Sequence, residues 1–465
     1  MIKFGTSGWR GIIGEDFTFD SVRIASQGIA NYLKKIGQKG SGVVVAYDTR
    51  FLSEKFALEA AKILAFNGIH AFLCSRDVPT PCASFEIMRR KAMGGINFTA
   101  SHNPAEYNGL KFSTADGAPA LPEVTKAIEA EINALEEKRE RIDVYEVPEL
   151  IETIDPKDRY LGELRQKIKV DVIRSSGLKI AIDTLYGTSR DYLDYFLLEG
   201  GVEVKTIHNY RDPYFGGFSP ECNEKNLSDL RKVVEEGFDI GLATDGDADR
   251  FGIIDDRGRF ISANMVIALV SLYLKRERKI PGGLARTVAT THLIDAIAHK
   301  FDVPLYETPV GFKYIGELIL DDKVALGGEE SAGLSMYRHL PEKDGVLACL
   351  LVAEMVAQSG RKLSELITAI SDEFGNFYSK RVDVKLTPHL RESLAAKLAN
   401  PPESVSGMAV REVNTVDGVK LIFTDMNWLL FRMSGTEPVA RIYGEACSPK
   451  DLKNVLDAGR KFVTA

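Results

Sequence analysis

One pattern recurs along the chain: a short run of apolar, β-branched residues ends in a polar turn, and a helical pattern follows. Three copies share this order, with strand-like residues at 43–47, 178–182 and 287–290. Continuous apolar strands that alternate with helices are typical of βαβ units in a mostly parallel sheet. The chain is therefore predicted to be an α/β protein built from similar units in tandem. Functional groups are expected at the carboxyl ends of its strands.

The domain organisation follows from length and from shifts in composition. The 465 residues suit three or four domains of about 100–150 residues each. We predict three similar α/β domains with mixed, mostly parallel sheets, followed by a smaller α+β domain with shorter strands. Their predicted bounds are residues 1–150, 151–258, 259–373 and 374–465. The Glu- and Lys-rich segment 123–141 is expected to be a solvated helix or a connector.

Charge and cysteine content limit the functional classes. With 59 basic and 66 acidic residues, the net charge is −7, which does not favour nucleic acid as a partner. The five cysteines include no Cys-x-x-Cys pair and are expected to be reduced thiols of a cytoplasmic protein. No segment is long and apolar enough to predict a membrane span or a signal peptide. Neither a membrane nor an obligatory protein partner is implied.

The most informative motif is Thr-Ala-Ser-His-Asn-Pro at residues 99–104. A serine hydroxyl is a weak nucleophile and its phosphate ester is stable, so the groups around Ser101 determine its role. Lys111 is a candidate general acid or base, provided that burial and nearby cations lower its pKa. His102 is either a base or a residue that holds the loop by a hydrogen bond. Arg10 lies in a glycine-rich segment near the amino terminus, and its role is ambiguous from sequence.

A second motif, Thr-Asp-Gly-Asp-Ala-Asp-Arg at residues 244–250, follows an apolar run. Asp245, Asp247 and Asp249 alternate on a tight loop and can converge on one hard cation, and Mg²⁺ suits a site with few protein oxygens. A calcium loop of the EF-hand type is disfavoured because its twelfth position is Asp256 rather than Glu. Arg250 is suited to a phosphoryl oxygen.

Two further loops suggest a sugar phosphate as ligand. The segment Gly-Gly-Glu-Glu-Ser-Ala-Gly at residues 327–333 offers carboxylate and hydroxyl groups for sugar hydroxyls, although such loops are also common surface turns. The segment Arg-Met-Ser-Gly-Thr-Glu-Pro at residues 432–438, with Arg441 behind it, can form an anion-binding nest. A structural turn is the alternative there. Neither a P-loop nor a dinucleotide-binding fingerprint is present, so nucleotide-dependent phosphoryl transfer lacks its usual signature.

Together and in this order, the four motifs resemble those of the α-D-phosphohexomutase superfamily, in its phosphoglucomutase/phosphomannomutase branch. The resemblance covers essentially the whole chain and implies four domains around a central cleft, the fourth smaller and mobile. It implies that Ser101 is the phosphoserine and that Asp245, Asp247 and Asp249 hold Mg²⁺ together with an oxygen of its phosphate. Glu329 and Ser331 would bind sugar hydroxyls. Arg10 and Lys111 would lie near the reacting groups, and Lys343 would reach the substrate. The phosphate that does not react would be held by Arg432, Ser434, Gly435, Thr436 and Arg441.

The resemblance also implies a reaction. Phosphorylated Ser101 would donate its phosphoryl group to a hexose monophosphate, giving a hexose 1,6-bisphosphate. That intermediate would reorient and return its other phosphate to the serine, with Mg²⁺, Arg250 and Lys111 offsetting charge on the transferring group. The sugar loop reads Glu-Glu-Ser-Ala-Gly, where dual-specificity mutases often have Glu-Met-Ser-Gly-His, which favours glucose over mannose. The alternatives are a phosphomannomutase or dual-specificity mutase, a serine-dependent sugar-phosphate phosphatase and a non-catalytic sugar-phosphate sensor.

Overall fold

The computed structural model describes residues 2–5, 8–138, 142, 144–434 and 438–464. These form four sheets, each built from a separate stretch of the chain. The first three sheets are mixed and are covered by helices, and the fourth is antiparallel throughout. The predicted fold class, three α/β domains followed by an α+β domain, is confirmed. No helix in these ranges is both long and apolar enough to cross a membrane.

The first sheet has the strand order β1-β5-β4-β2-β3-β6. Its last strand, residues 151–154, pairs with β3. This strand therefore belongs to the first sheet, although it lies beyond the domain boundary that the sequence predicts at residue 150. The elements of this unit are β1 (Trp9–Ile12), α1 (Phe19–Lys35), β2 (Val43–Tyr47), α2 (Ser53–Phe66), β3 (Ala71–Cys74), α3 (Thr80–Arg90), β4 (Gly94–Phe98), β5 (Tyr107–Ser113), α4 (Pro122–Lys138) and β6 (Ile151–Ile154).

The second sheet has the order β11-β10-β9-β7-β8, and the third has the order β13-β12-β14-β15. The second unit comprises α5 (Lys157–Lys167), α6 (Val170–Ser176), β7 (Lys179–Asp183), α7 (Leu193–Glu199), β8 (Glu203–Ile207), α8 (Ser228–Glu235), β9 (Ile240–Thr244), β10 (Phe251–Ile254) and β11 (Phe260–Ile261). The third comprises α9 (Ala263–Arg276), β12 (Gly283–Thr287), α10 (Leu293–Lys300), β13 (Leu305–Thr308), α11 (Phe312–Leu320), β14 (Val324–Glu329), β15 (Gly333–Met336), α12 (Gly345–Ser359) and α13 (Leu363–Phe374).

The fourth unit is a six-stranded antiparallel sheet in the order β16-β21-β20-β19-β18-β17. Its elements are β16 (Tyr378–Lys385), α14 (Pro388–Ala399), β17 (Ser404–Val405), β18 (Met408–Asn414), β19 (Val419–Phe423), β20 (Trp428–Met433), β21 (Val439–Ala446) and α15 (Pro449–Thr464). One continuous apolar core runs through the first three units, whereas the fourth has its own core. A small apolar cluster that includes Val288 and Trp428 joins the fourth unit to the third.

The first three sheets share one arrangement. Each contains three parallel strands that are consecutive along the chain, namely β2–β4, β7–β9 and β12–β14. The first of the three lies between the other two, and an antiparallel strand follows the third. The antiparallel strand is β5, β10 or β15. The loop between the third strand and this strand carries Ser101 in the first unit and the three aspartates in the second, and in the third it directly follows Glu329. The repeat therefore places the three motif loops at corresponding points of three sheets.

The helix α12 explains how the second and third units share a core. Twelve of its fifteen residues are buried, and its N-cap Asp344 accepts a hydrogen bond from the backbone N–H of Leu347. It packs on β9 and β10 of the second unit and on α9 and β15 of the third. An apolar surface around the whole circumference is what a helix enclosed on every side requires.

We expect a solvated helix or a connector at residues 123–141, of which 139–141 lie outside the described residues, and for one face of the helix this expectation is wrong. The helix α4 buries Ile128, Ile132 and Leu135 and packs against α1. Contact is close because Gly28 of α1 has no side chain, and a Cβ atom there would lie 2.4 Å from Cγ1 of Ile132. The charged residues of α4 occupy its outer face, which dominates the sequence pattern.

Replacing Ile132 by alanine should destabilise the protein by about 2–5 kcal/mol, the range for deleting a buried aliphatic side chain. The matched control is Lys126→Ala on the exposed side of the same helix, with an expected change within about 0.5 kcal/mol. Urea unfolding of both variants measures the difference. Equal unfolding midpoints would contradict the packing of α4 described above.

Candidate active site

Ser101 lies just after β4, with a backbone φ of +52° and a side chain that is almost fully buried. Its backbone N–H donates to Oγ1 of Thr99 at 2.9 Å. Its hydroxyl donates to Oδ2 of Asp245 at 3.0 Å, and Nδ1 of His102 lies 3.3 Å from the same hydroxyl oxygen. The structure thus brings the serine of the first unit into direct contact with the carboxylate loop of the second.

Asp245, Asp247 and Asp249 are buried, and one ligand atom from each lies within 4.8 Å of the other two. Oδ1 of Asp247 and Oδ1 of Asp249 are buried without a hydrogen-bond partner among the residues described. Burial and the two neighbouring carboxylates raise the pKa of Asp245. Clustered carboxylate oxygens without donors are the arrangement that a hard divalent cation neutralises. The residues present therefore fit Mg²⁺.

A glycine in this loop allows its close approach to the serine. A Cβ atom at Gly246 would lie 2.8 Å from the backbone oxygen of Ser101 and 2.9 Å from the ring of Pro220. The adjacent Asp247 also contacts the first unit, since its Oδ2 accepts a hydrogen bond from the hydroxyl of Thr80 at 2.7 Å. The second position of Asp-Gly-Asp is thus limited to glycine by the neighbouring loop.

Two lysines from different units offset the negative charge. Nζ of Lys111, on β5, lies 2.6 Å from Oδ2 of Asp247 and 3.2 Å from Oδ2 of Asp249. Nζ of Lys343 lies 3.1 Å from Oδ2 of Asp249. Burial alone would lower the pKa of Lys111, but the two aspartates outweigh it and the pKa is raised. From sequence, Lys111 is a candidate general acid or base only if its pKa is lowered. This condition is not met, because its carboxylate partners hold Lys111 as an ammonium ion.

The remaining residues predicted around the serine also lie in this region. The backbone N–H of Arg250 donates to Oδ1 of Asp245 at 3.0 Å, and Nη1 of Arg10 donates to Oδ1 of Asn103 at 2.6 Å. Burial, followed by the charges of Arg250 and Arg10, lowers the pKa of His102 to about 2. His102 is therefore a neutral imidazole beside the serine oxygen.

The loop at residues 327–333 of the third unit, which is predicted to bind sugar hydroxyls, closes another side of the site. Glu329 is almost fully buried, and its Oε1 accepts a hydrogen bond from the backbone N–H of Gly311 at 2.8 Å. Burial raises its pKa to about 7, although Lys343 acts in the opposite direction. Ser331 lies in the turn between β14 and β15 and is partly exposed. The loop thus contains a buried carboxyl group that interacts with the charge of Lys343, and a partly exposed hydroxyl at Ser331.

The structure describes some of the residues of the fourth unit that are predicted to bind the phosphate. Arg432 and Arg441 are paired across β20 and β21, and the backbone N–H of Ser434 donates to the oxygen of Val439 at 3.0 Å. Gly435 and Thr436 lie outside the described residues. Burial raises the pKa of Glu330 in the third unit, and the charge of Arg432 opposes this rise. Arg432 therefore lies close to the third unit.

Some residues that shape the site have no role in the sequence prediction. Oδ2 of Asp417 accepts hydrogen bonds from Nη2 of Arg432 at 2.8 Å and from the backbone N–H of Val310 at 2.9 Å. Arg50 contacts the serine loop from beneath. For Arg50 a signal does exist, since a charged residue directly follows a fully buried strand at Asp48-Thr49-Arg50. For Asp417 there is none in the sequence, because its partner Val310 is distant along the chain.

The raised pKa of Glu329 predicts a pH-dependent stability. A carboxyl whose pKa is about 7 when folded and about 4.3 when unfolded destabilises the folded state increasingly as the pH rises between these values. Glu329→Gln removes the charge and keeps an acceptor, so it should stabilise the protein more at pH 8 than at pH 5. The upper limit of this gain is about 3 kcal/mol.

Thermal unfolding of Glu329→Gln and the wild type between pH 5 and pH 8 measures this difference. The control is Glu317→Gln at an exposed position, for which the difference from the wild type should stay constant with pH. A constant difference for Glu329→Gln as well would show that Glu329 ionises without cost.

Comparisons with known proteins agree with this geometry. Four domain families match in order: phosphoglucomutase/phosphomannomutase alpha/beta/alpha domain I at residues 1–139, domain II at 158–258, domain III at 262–374 and the C-terminal domain at 394–461. A "Phosphoglucomutase/phosphomannomutase" of Thermococcus kodakarensis is 33% identical, over 99% of this chain and 98% of its own length. A "Probable phosphoglucosamine mutase" of Methanothermobacter thermautotrophicus is 32% identical, over 99% and 97%.

Solved structures extend the likeness to three dimensions. A crystal structure of a "putative phosphomannomutase" from Thermus thermophilus superposes with a TM-score of 0.87 at 33% identity. The match covers 100% of this chain and 99% of the other. All four domain families match, and together they cover most of the chain. The two relatives named above are more than 30% identical over nearly their full length. This chain belongs to the phosphoglucomutase/phosphomannomutase family of the α-D-phosphohexomutase superfamily.

Proposed function

We propose that this protein is a Mg²⁺-dependent phosphohexomutase that interconverts glucose 1-phosphate and glucose 6-phosphate through a phosphoserine and glucose 1,6-bisphosphate. The observation that carries the proposal is the position of Ser101. Its Oγ lies 3.0 Å from Oδ2 of Asp245, which belongs to the carboxylate cluster. Arg10 contacts the loop that carries Ser101, through Asn103. Membership of a family of hexose-phosphate mutases makes the substrate class a sugar phosphate.

The chemistry requires one bond to form and one to break in each half-reaction. In the first, a free hydroxyl of the hexose monophosphate attacks the phosphorus of phosphorylated Ser101, and the bond between phosphorus and Oγ breaks. The proton lost by the sugar hydroxyl passes to a base, and Oγ takes up a proton. His102, a neutral imidazole, is the candidate that accepts the proton, and Lys111, held as an ammonium ion, is the candidate that donates one to Oγ. In the second half-reaction the other phosphate of the bisphosphate returns to Ser101.

Asp245, Asp247 and Asp249 would hold the Mg²⁺ ion, which would supply positive charge to the transferring phosphoryl group. The residues of this chain contribute charge from three units, namely Arg10 and Lys111 from the first, Arg250 from the second and Lys343 from the third. Positioning and electrostatic stabilisation account for most of the catalysis in phosphoryl transfer. A cluster assembled from three units therefore has the components that this reaction needs.

Recognition of the rest of the substrate is assigned to the third and fourth units. Glu329 and Ser331 would bind sugar hydroxyls, and Arg432, Ser434, Gly435, Thr436 and Arg441 would bind the phosphate that does not react. The bisphosphate must be held in two orientations, so the same groups must accept either end of the sugar. The loop sequence Glu-Glu-Ser-Ala-Gly supports glucose as the preferred hexose. Thr99 supports a hexose mutase, because glucosamine mutases tend to have a serine at the corresponding position.

A phosphomannomutase or dual-specificity mutase is the second candidate, favoured by the names of the relatives. A sugar-phosphate phosphatase would use the same serine with water as the final acceptor. A sensor without turnover is disfavoured because the serine, the three aspartates and Lys111 are all present and in contact.

A coupled assay separates these candidates. The protein is supplied with the 1-phosphates of glucose, mannose, glucosamine and N-acetylglucosamine, each with and without the corresponding 1,6-bisphosphate. We expect the highest kcat/KM for glucose 1-phosphate, with activation by the bisphosphate. The Ser101→Ala variant should lose nearly all activity while its melting temperature stays close to that of the wild type. In active enzyme, peptide mapping should find phosphate on Ser101.

Each alternative has its own result in this assay. Mannose 1-phosphate as the preferred substrate would make the protein a phosphomannomutase. Steady release of inorganic phosphate would make it a phosphatase, and full activity of Ser101→Ala would remove the phosphoserine from the mechanism.

Removal of divalent metal should abolish turnover. After treatment with EDTA and desalting, the wild type should be inactive, and Mg²⁺ should restore its activity. Asp247→Asn should need a higher Mg²⁺ concentration for half-maximal activity, because a neutral amide replaces one of the three charges that bind the ion. Asp255→Asn is the matched control, since Asp255 is equally buried but pairs with Arg259. Full activity after metal removal would contradict the assignment of the cluster.

A further inference from the structure

Arg50 is a fully buried arginine beneath the serine loop, just beyond the carboxyl end of β2. Its Nε donates to Oδ2 of Asp48 at 3.1 Å. On one side its guanidinium lies over the ring of Phe215, with Cζ 4.9 Å from the ring centre. Burial of a charged group costs several kcal/mol unless its donors are satisfied. The remaining donors of Arg50 therefore indicate what this position does.

The other four N–H groups of Arg50 all donate to backbone oxygens of one segment, residues 101–107. Nη2 donates to the backbone oxygens of Ser101 at 2.7 Å and Asn103 at 2.6 Å. Nη1 donates to those of Pro104 at 2.7 Å and Tyr107 at 3.0 Å. Guanidinium has five N–H donors in a fixed plane, so every donor is used and four of them hold the segment that carries the serine.

This loop needs such support because of its backbone. Ser101 has a φ of +52°, a left-handed conformation that costs a non-glycine residue roughly 1–2 kcal/mol. Such residues persist where the surrounding structure determines the conformation. The carbonyl of Ser101 itself is one of the four acceptors, so Arg50 acts directly on the residue with the unfavourable φ.

The second unit provides an internal comparison. Oδ1 of Asp48 accepts from the backbone N–H of Arg50 at 2.9 Å, and Oδ1 of Asp183 accepts from that of Leu185 at 2.8 Å. The two turns correspond in the repeated fold, since each follows the first parallel strand of its sheet. A leucine stands in the second unit where the first has Arg50. The shared fold therefore does not require the arginine, and the unit that has it is the one with the serine.

We propose that Arg50 is a positioning residue for phosphoryl transfer: by binding four carbonyls of residues 101–107 it fixes Oγ of Ser101 in line with the attacking hydroxyl. This inference rests on the proposed function of Ser101 as phosphoryl carrier. Arg50 acts through the backbone, so its loss should lower the rate of transfer more than the binding of substrate. A displacement of about 1 Å in a reacting group can cost two orders of magnitude in rate.

The test compares the full-length wild type with Arg50→Lys, Asp48→Asn and the control Arg90→Lys. A lysine has three donors and cannot bridge four carbonyls. We expect Arg50→Lys to lower kcat at least tenfold while KM for glucose 1-phosphate changes less than twofold. Asp48→Asn should show the same pattern with a smaller loss, at least threefold. Arg90 lies in the same unit and pairs with Glu86 and Glu152, so Arg90→Lys should keep kcat within twofold.

Hydrogen exchange followed by mass spectrometry supplies a readout that does not depend on turnover. Peptides covering residues 99–108 should exchange slowly in the wild type and faster in Arg50→Lys and Asp48→Asn, with no change in the fourth unit. If Arg50→Lys does not fold, Asp48→Asn decides. Rapid exchange of the loop in the wild type, or an unchanged kcat in a folded variant of either residue, would overturn the proposal. So would faster exchange throughout the protein, which would indicate a structural role only.

Failure of the proposed function would be seen separately. A wild type that turns over no hexose phosphate would reject that function, and the loop exchange would then show whether Arg50 holds residues 101–107.

Discussion

The balance of buried charge around three aspartates determines how the first three units fit together. Asp245, Asp247 and Asp249 belong to the second unit, but Lys111 comes from the first and Lys343 from the third. Burying like charges together is costly unless opposite charges accompany them. The cluster is compensated only where all three units meet, and the continuous apolar core holds them at that point. The electrostatic requirement of the site and the packing of the units therefore specify the same arrangement.

The fourth unit is attached by different means. It has its own core and meets the third unit through a small apolar cluster and a set of polar contacts. Among these, Asp417 binds both Arg432 and the backbone of Val310. Such an interface would suit a unit that, in the proposed reaction, adjusts to a bisphosphate held in two orientations.

Much of the fold was predictable from the sequence, because buried parallel strands are continuous apolar runs and the strand–turn–helix order is local. The carboxylate cluster was predictable for a similar reason, since its three residues alternate on one loop. The pKa of Lys111 was not, because it depends on Asp247 and Asp249, which are distant along the chain. The buried face of α4 was missed because three apolar residues stand among many charged ones. Arg50 has a signal in its position just after a buried strand, but its role was missed because four of its donors bind backbone carbonyls, which leave no trace in a pattern of side chains.

The repeated position of the motif loops has a consequence for how such a site can arise. The repeated strand arrangement supplies three loops that follow the third parallel strand of their sheets at corresponding points. Each unit supplies a different chemical group at this point: a hydroxyl in the first, carboxylates in the second and, in the third, the carboxyl group that we propose binds sugar. No copy alone contains a complete set of reacting groups. The site is therefore a property of the assembled units, and a change in the packing of any one of them alters the surroundings of groups contributed by the other two.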